Sequence, residues 1–209
     1  MSNHTAELAR LGSATVYEGG GRIGFVDADL VQVIPGSRVA GPARTVTCGQ
    51  GDNLMVHAAM AELQPGEVLV LTMPEPAPFA LFGGLLATQA RARGAAAVLV
   101  DASVRDVEEL AVLGPPTWAR WVRVRGAVKE EPGALDVPVT VGGAEIRPGD
   151  AVVLDADGVA VVAAERVDDV LGRAREREEK ERVKAERLAG GALSYDLDGL
   201  RAKVEGTSR

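Results

Sequence analysis

Residues 83–109 read GGLLATQARARGAAAVLVDASVRDVEE, and this stretch decides the fold class. Gly83 and Gly84 supply a tight turn that a side chain would obstruct. Residues 85–93 follow as a helix, with Leu85, Leu86, Gln89 and Ala90 recurring on one side and Gly94 as its stop. Residues 95–100 are wholly apolar, which predicts a strand covered on both faces. Asp101 is expected to end that strand, residues 102–104 to turn, and Arg105-Asp106 to begin the next helix. Helix, buried strand and helix in this order predict an α/β unit with a mainly parallel sheet. Ligands in such sheets bind beyond the carboxyl ends of the strands. Arg105, Asp106 and the amino end of the residue-85 helix all belong at that end.

Working outward, residues 5–11 and 13–18 read as short helices, the first capped by Thr5. Gly19, Gly21 and Gly24 match G-x-G-x-x-G by letter, but Phe25-Val26-Asp27 continue extended where a dinucleotide site needs a helix. Residues 39–48 predict a strand and residues 54–63 a helix carrying His57, with Asp52 or Asn53 as its cap. Residues 68–73 form a second continuous apolar run, hence a central strand. Three prolines in residues 74–78 require a loop. Residues 121–128 and 137–141 read as strands joined through Lys129, Glu130 and Glu131. Residues 151–154 and 159–163 predict a hairpin around Asp155-Ala156-Asp157-Gly158, whose carboxylates are turn residues because the rest of a calcium loop is missing.

Residues 165–188 differ in kind: of 24 residues, eight are acidic and eight basic. Pairs such as Glu176 and Lys180 stand four apart with the acid first, the order that supports a helix. The apolar positions are too sparse to bury one side, so such a helix is solvated or laid on a neighbouring subunit. Residues 197–204 predict one more helix. The division expected is therefore an α/β catalytic domain over residues 1–164 and a helical extension over residues 165–209.

Composition excludes several function classes. A formal charge of −7 argues against nucleic-acid binding, which needs a basic surface. The single cysteine, Cys48, forms no internal disulfide and reads as a small buried residue. No stretch approaches a membrane helix and no signal peptide opens the chain, so a cytoplasmic protein is expected.

The candidate chemistry gathers at Arg105 and Asp106. Arg105 offers a planar fork suited to a carboxylate or keto acid. Asp106 offers oxygen ligands to a hard divalent cation. The N–H groups of Leu85 and Leu86, after Gly83 and Gly84, form a seat for an anionic group. Together they suit an α-keto acid; a plain surface ion pair beside a helix cap is the alternative on spacing alone.

The stretch GGLLATQARARG…VLVDASVRDVEEL resembles the regulator of ribonuclease activity A-like family. Within it the chain is most similar to the 4-hydroxy-4-methyl-2-oxoglutarate and 4-carboxy-4-hydroxy-2-oxoadipate aldolases. The likeness extends through ATVYEGGGRIG, GDNLMVHAA, RGAVKE, RPGDAVVLDADGVAVV and LAGGALSYDLDGLR, nearly the whole chain. The resemblance implies a swivelling α/β/α sandwich of phosphohistidine-domain type with a long charged carboxy-terminal helix. It implies homotrimers or hexamers with a metal site between subunits, and a divalent cation, Mg2+ or alternatively Mn2+. By position, Arg105 would bind substrate and stabilise an enolate, Asp106 would serve the metal, and Gly83, Gly84, Leu85 and Leu86 would line the substrate seat. A D-x20-R-D motif is frequent in the family; this chain has Gly84 at its first position. A glutamate of the neighbouring subunit's charged helix is also implied, with Glu178, Glu179 and Glu181 as candidates and Glu179 favoured.

The implied activity is a class II pyruvate aldolase with oxaloacetate decarboxylase side activity. The rival is a non-catalytic, protein-binding regulator. A Schiff-base route would rest on Lys129, the only lysine before Lys180, and Glu130 and Glu131 would keep it protonated. A phosphotransfer role would need a histidine, and only His4 and His57 exist.

Overall fold

The structure is a computed structural model and describes residues 3–206. Two short helices open it, α1 (Asn3–Leu11) and α2 (Ser13–Gly19), followed by β1 (Val31–Gln32). The parallel core comes next: β2 (Val39–Thr47), α3 (Leu54–Glu62), β3 (Val68–Thr72), β4 (Ala80–Phe82), α4 (Gly84–Ala92), β5 (Ala97–Val104), α5 (Val107–Leu113) and β6 (Thr117–Val122). Then β7 (Ala134–Leu135), β8 (Val139–Val141), β9 (Ala144–Ile146), β10 (Ala151–Asp155) and β11 (Gly158–Val162) complete the strands. Three helices end the chain, α6 (Val167–Ala189), α7 (Ser194–Leu197) and α8 (Leu200–Glu205).

The main sheet runs β1-β6-β5-β3-β2-β10-β11, with β4 on β5 and β7 on β2. Strands β2, β3, β5 and β6 are mutually parallel, while β1 and β10 flank them antiparallel. Because the four parallel strands follow one another in order, right-handed crossovers put α3, α4 and α5 on one face. There Val56, Met60, Leu86, Ala90 and Leu110 pack on Leu69, Leu71, Val98 and Val100. The other face holds Val70, Leu99 and Trp118 against the β8–β9 hairpin and the curled β10–β11 strands. Helices α1 and α2 and the first turns of α6 (Val170, Leu171, Ala174) pack on Ala40, Val153 and Val162. The result is a mixed α/β fold with a curled sheet; a hairpin, rather than a second row of helices, covers the far face of the parallel strands.

Several sequence readings shift. Strand β5 does not end at Asp101 but runs to Val104, fully buried, because β4 pairs with Ser103 and Val104. That pairing partner hides in the stretch after the three prolines. Asp101 tolerates the interior because the Arg120 guanidinium of β6 binds it; burial still pushes its carboxyl above the usual range. Strand β6 occupies residues 117–122 rather than 121–128, since Trp118 fills the core and donates its indole N–H to the Asp155 carbonyl at 2.9 Å. Residues 123–128 are therefore irregular, and Val124 is 92% exposed. The expected strand over residues 137–141 is shorter and turns through Gly142-Gly143, both at positive φ, into the unforeseen β9. The final helix is two pieces broken at Gly199, and α1 starts before Thr5, so Thr5 is no cap.

Other readings hold. Asp155 accepts from the Asp157 N–H at 3.1 Å, a turn role, and also from the N–H and hydroxyl of the distant Ser13. Cys48 is buried, and burial pushes its thiol up to about 12. The glycines at 19, 21 and 24 lead into a bridge between Phe25 and Ala160, with no helix behind them. No helix among the described residues is long and apolar enough to cross a membrane. The division into two compact units falls inside α6, between Ala174 and Arg175, whereas the expected one stood between residues 164 and 165.

Candidate functional site

Strands β4 and β5 are parallel, so both end on the same side of the sheet, and α4 and the Arg105-Asp106 turn begin there. The Arg105 N–H donates to the Phe82 carbonyl at 3.1 Å, locking the two exits together. Asp106 then takes left-handed backbone angles, φ 57° and ψ 44°, a conformation open to few residues other than Gly, Asn and Asp. Asp106 stands at the start of α5, but its side chain makes no capping bond there. The left-handed turn instead aims its carboxylate across at α4, where Oδ2 accepts from the Gly84 N–H at 3.1 Å. The helical ladder of α4 starts only with Ala87 donating to Gly83, so the Leu85 and Leu86 N–H groups lie in the open first turn.

Both glycines leave room for a neighbouring carboxylate. A Cβ on Gly83 would stand 2.7 Å from Asp106 Oδ2. A Cβ on Gly84 would overlap Oε2 of Glu109, in the first turn of α5. Position 84 has no side chain of its own, and a carboxylate from position 109 occupies that space. Sequence reading missed Glu109; its signal was the R-D-x-x-E spacing, which sets a second carboxylate three residues after Asp106, in the first turn of α5.

Arg105 is half exposed at 50% and Asp106 at 41%, with Arg105 Nε 3.5 Å from Asp106 Oδ2. The guanidinium passes close over Gly126, where a Cβ would meet Nη1 at 2.8 Å. An open cleft of about 430 Å3 lies here, lined by Arg105, Asp106, Glu108, Val122, Arg123 and Val124 among others. Arg125 faces away from this role, its guanidinium stacked 3.9 Å from the Phe79 ring centroid.

The loop carrying Gly126 is held from beneath. Asp52 is buried, its Oδ2 accepting from Glu130 N–H at 2.5 Å and Glu131 N–H at 2.9 Å, its Oδ1 from Leu54 N–H at 2.7 Å. Asn53 N–H donates to the Val128 carbonyl and its side-chain amide to the Leu81 carbonyl. Burial alone would push the Asp52 carboxyl up, but the three N–H donors outweigh it and hold it below the usual range. A depressed carboxyl stabilises the fold above its unfolded value, near pH ~4, and that contribution is lost as pH falls through the lower folded value. Asp52→Asn is expected to cost ~1.5–3 kcal/mol and to flatten acid dependence below pH ~4. Thermal melts between pH 3 and 7 check this; an unchanged acid profile would contradict it.

The candidate divalent cation can be tested against these groups. Magnesium is usually bound through one or two carboxylates, with water or substrate oxygens completing its shell. Asp106 and Glu109 bring two carboxylates to one glycine-made hollow, and they fit that demand. Among the described residues no group of three or more His, Cys, Asp or Glu is arranged to hold a metal. Gly84→Ala, whose methyl meets only the flexible end of Glu109, is expected to keep the fold and weaken Mg2+ binding ~10-fold, a loss on the scale of one disturbed ligand contact. Calorimetric titration decides it, and unchanged affinity would remove Glu109 from the metal set.

Glu179 belongs to the second unit, where Arg182 holds its carboxylate at 2.7 Å and lowers its pKa. Glu181 pairs with Arg177. His57 is exposed on α3, its pKa lowered first by partial desolvation and then by the Lys129 charge.

The sequence profile of the RraA-like family, described as Aldolase/RraA, matches residues 13–161. A Halalkalibacterium halodurans protein named "Putative 4-hydroxy-4-methyl-2-oxoglutarate aldolase" is 35% identical over 168 residues, 80% of this chain and 78% of that one. The crystal structure of Streptomyces coelicolor RraAS2, described as an unusual member of the RNase ES inhibitor RraA protein family, superposes with a TM-score of 0.79 at 30% identity. That match covers 88% of this chain and 96% of the other. The RNA-processing inhibitor RraA of Thermus thermophilis matches with a TM-score of 0.60 at 32% identity, over 67% and 83% of the two chains.

Proposed function

The chain belongs to the RraA-like family, Aldolase/RraA, and from that membership we propose that it is a divalent-metal-dependent pyruvate aldolase acting on 4-hydroxy-2-keto acids. The observation that carries this reading is the meeting of Arg105, Asp106, Glu109 and the open first turn of α4 around two side-chain-free positions. In the proposed cleavage the C3–C4 bond breaks and its electron pair stays on C3 as the enolate of pyruvate. The C4 hydroxyl loses its proton, to water in a cleft open to solvent, and becomes a carbonyl. The enolate then takes a proton at C3 to give pyruvate. The Leu85 and Leu86 N–H groups seat the substrate carboxylate. Arg105 sets a fixed positive charge beside the oxygen on which the enolate charge develops. Asp106 and Glu109 would hold Mg2+ or Mn2+, which when bound supplies Lewis-acid polarisation of the keto group. Oxaloacetate reaches the same enolate when its C4 carboxylate leaves as CO2, so a decarboxylase side activity is part of the proposal.

The test is pyruvate release from 4-hydroxy-4-methyl-2-oxoglutarate and from oxaloacetate, with Mg2+ and with chelator. Metal-dependent release is expected from both. No release from either, with metal present, would favour the second reading that the RraA relatives support, a non-catalytic protein-binding regulator.

The site is further proposed to be completed between copies of the chain in a homotrimer or hexamer, with Glu179 contributed by a neighbour. Residues 165–188 carry equal numbers of acidic and basic residues and few apolar ones, a composition suited to a polar inter-subunit contact. Mixing Arg105→Ala with Glu179→Ala protein under subunit exchange is expected to restore activity, because some interfaces then carry both intact residues. Native mass spectrometry showing mixed oligomers without recovery would exclude Glu179.

A further inference from the structure

Gly126 is not among the residues of positive φ, so its backbone is one that any residue could adopt. Turn geometry therefore does not explain why this position lacks a side chain. Packing does. Apart from adjacent residues, a Cβ built on Gly126 would meet within 4 Å only the Arg105 guanidinium among the described residues, Nη1 at 2.8 Å and Cζ at 3.9 Å. The strap that carries Gly126 is pinned on both sides. Before it, the Arg125 carbonyl accepts from the Ala80 N–H at 2.7 Å, and Gly126 itself bridges Ala80 at the start of β4. After it, Val128 donates to the Gly51 carbonyl at 3.0 Å and accepts from the Asn53 N–H at 2.9 Å. The buried Asp52 carboxylate then ties down the Glu130 and Glu131 N–H groups. Polar groups fix the Arg105 head far less. Among the described residues its guanidinium has one ion pair, Nε to Asp106 Oδ2 at 3.5 Å, longer than a charge-assisted hydrogen bond. Its stem passes a second bare position, Gly83, whose Cβ would stand 3.2 Å from Cγ. Close contact with two bare backbones thus limits where the fork points.

On the aldolase reading above, we infer that Gly126 is a positioning residue: its missing side chain sets the place of the Arg105 fork beside the developing enolate. The pinned strap cannot absorb a methyl group at this position, so the guanidinium moves instead. The far end of an arginine moves at little cost to the fold, but a charge displaced by ~1 Å from its productive place slows chemistry by up to ~100-fold. The glycine therefore serves the reaction and not the stability of the loop.

The experiment is a double-mutant cycle of Gly126→Ala and Arg105→Ala in the full-length chain with Mg2+. It reads pyruvate release from 4-hydroxy-4-methyl-2-oxoglutarate, the thermal melt, and the affinity for oxalate, a planar dianion shaped like pyruvate enolate. Gly126→Ala alone is expected to lower kcat ~10–100-fold and to weaken oxalate binding ~10-fold, the scale of one lost charge-assisted contact. Its melting temperature stays within ~3 °C of the unsubstituted protein. In Arg105→Ala protein, where the α4 N–H groups still seat oxalate, no guanidinium is left to displace, so adding Gly126→Ala changes neither rate nor affinity. Equal losses in both backgrounds would show that Gly126 acts by some route other than Arg105. Native kcat and oxalate affinity in Gly126→Ala would show that the place of the guanidinium is immaterial, and a melting temperature lowered by more than ~4 °C would show the glycine serving the fold. Each of these three results overturns the inference and leaves the aldolase reading intact. No pyruvate release by the unsubstituted protein removes the aldolase reading itself, and this inference with it.

Discussion

Asp106→Asn is expected to abolish metal-dependent pyruvate release, by at least ~100-fold, the scale of losing one preorganised charge from a reaction centre. The fold should scarcely notice. Asparagine enters the left-handed region as readily as aspartate, and its side-chain oxygen can still accept from the Gly84 N–H that Asp106 now engages at 3.1 Å. What disappears is the negative charge facing the hollow above Gly83, where a Cβ would stand 2.7 Å from Oδ2. Calorimetric Mg2+ titration, a pyruvate assay and a thermal melt separate the possibilities. Lost metal affinity with a melting temperature within ~3 °C, under ~1 kcal/mol for a chain of this size, is the expected pattern. Native metal affinity and rate would remove Asp106 from the site.

Arg105→Lys is expected to lose most activity although the charge is kept. Lysine carries a point charge on a flexible stem and cannot reproduce a planar two-point contact. Losing one such stabiliser costs ~3 kcal/mol in the transition state, roughly 100-fold in rate. The structure sharpens the expectation. The guanidinium of Arg105 lies over Gly126, a fit that depends on the missing side chain there, and half its surface is open to the cleft. A lysine variant keeping more than about a third of kcat, a loss under ~1 kcal/mol, would show that fork geometry is irrelevant.

The two variants also differ in what they leave behind. Asp106→Asn keeps the arginine and should still bind keto acids weakly at the α4 amino end. Arg105→Lys keeps both carboxylates and should still titrate with Mg2+. Measured side by side, they distinguish loss of the cation from loss of the anion-binding fork.

The position of the candidate site was legible in the sequence because it rests on short-range rules. Apolar runs at residues 68–73 and 95–100 announce buried parallel strands, and the topology of such sheets sends ligands to their carboxyl ends. Gly83-Gly84 and Arg105-Asp106 sit one helix and one strand apart, so their meeting follows from the α/β unit alone. What stayed hidden depends on partners distant in the chain. Strand β5 keeps its polar end, Asp101 to Val104, because β4 pairs with it and Arg120 on β6 binds Asp101. Neither partner is visible in a local window, where Asp101 reads as a strand end.

The same distinction holds for the details of the chemistry. By itself the sequence determined the α/β class, the Arg105-Asp106 pair, the glycine-led amino end of α4 and the charged character of residues 165–188, all consequences of local periodicity, turn chemistry and composition. Only the tertiary structure decided that Asp106 reaches across to Gly84 rather than capping its own helix, since a left-handed backbone angle fixes that aim. Only it showed that Glu109 fills the space left at Gly84 and that Gly126 lies beneath Arg105. The reason is physical: a glycine in the sequence records that a side chain is missing, and only the packed neighbours show what the missing side chain makes room for.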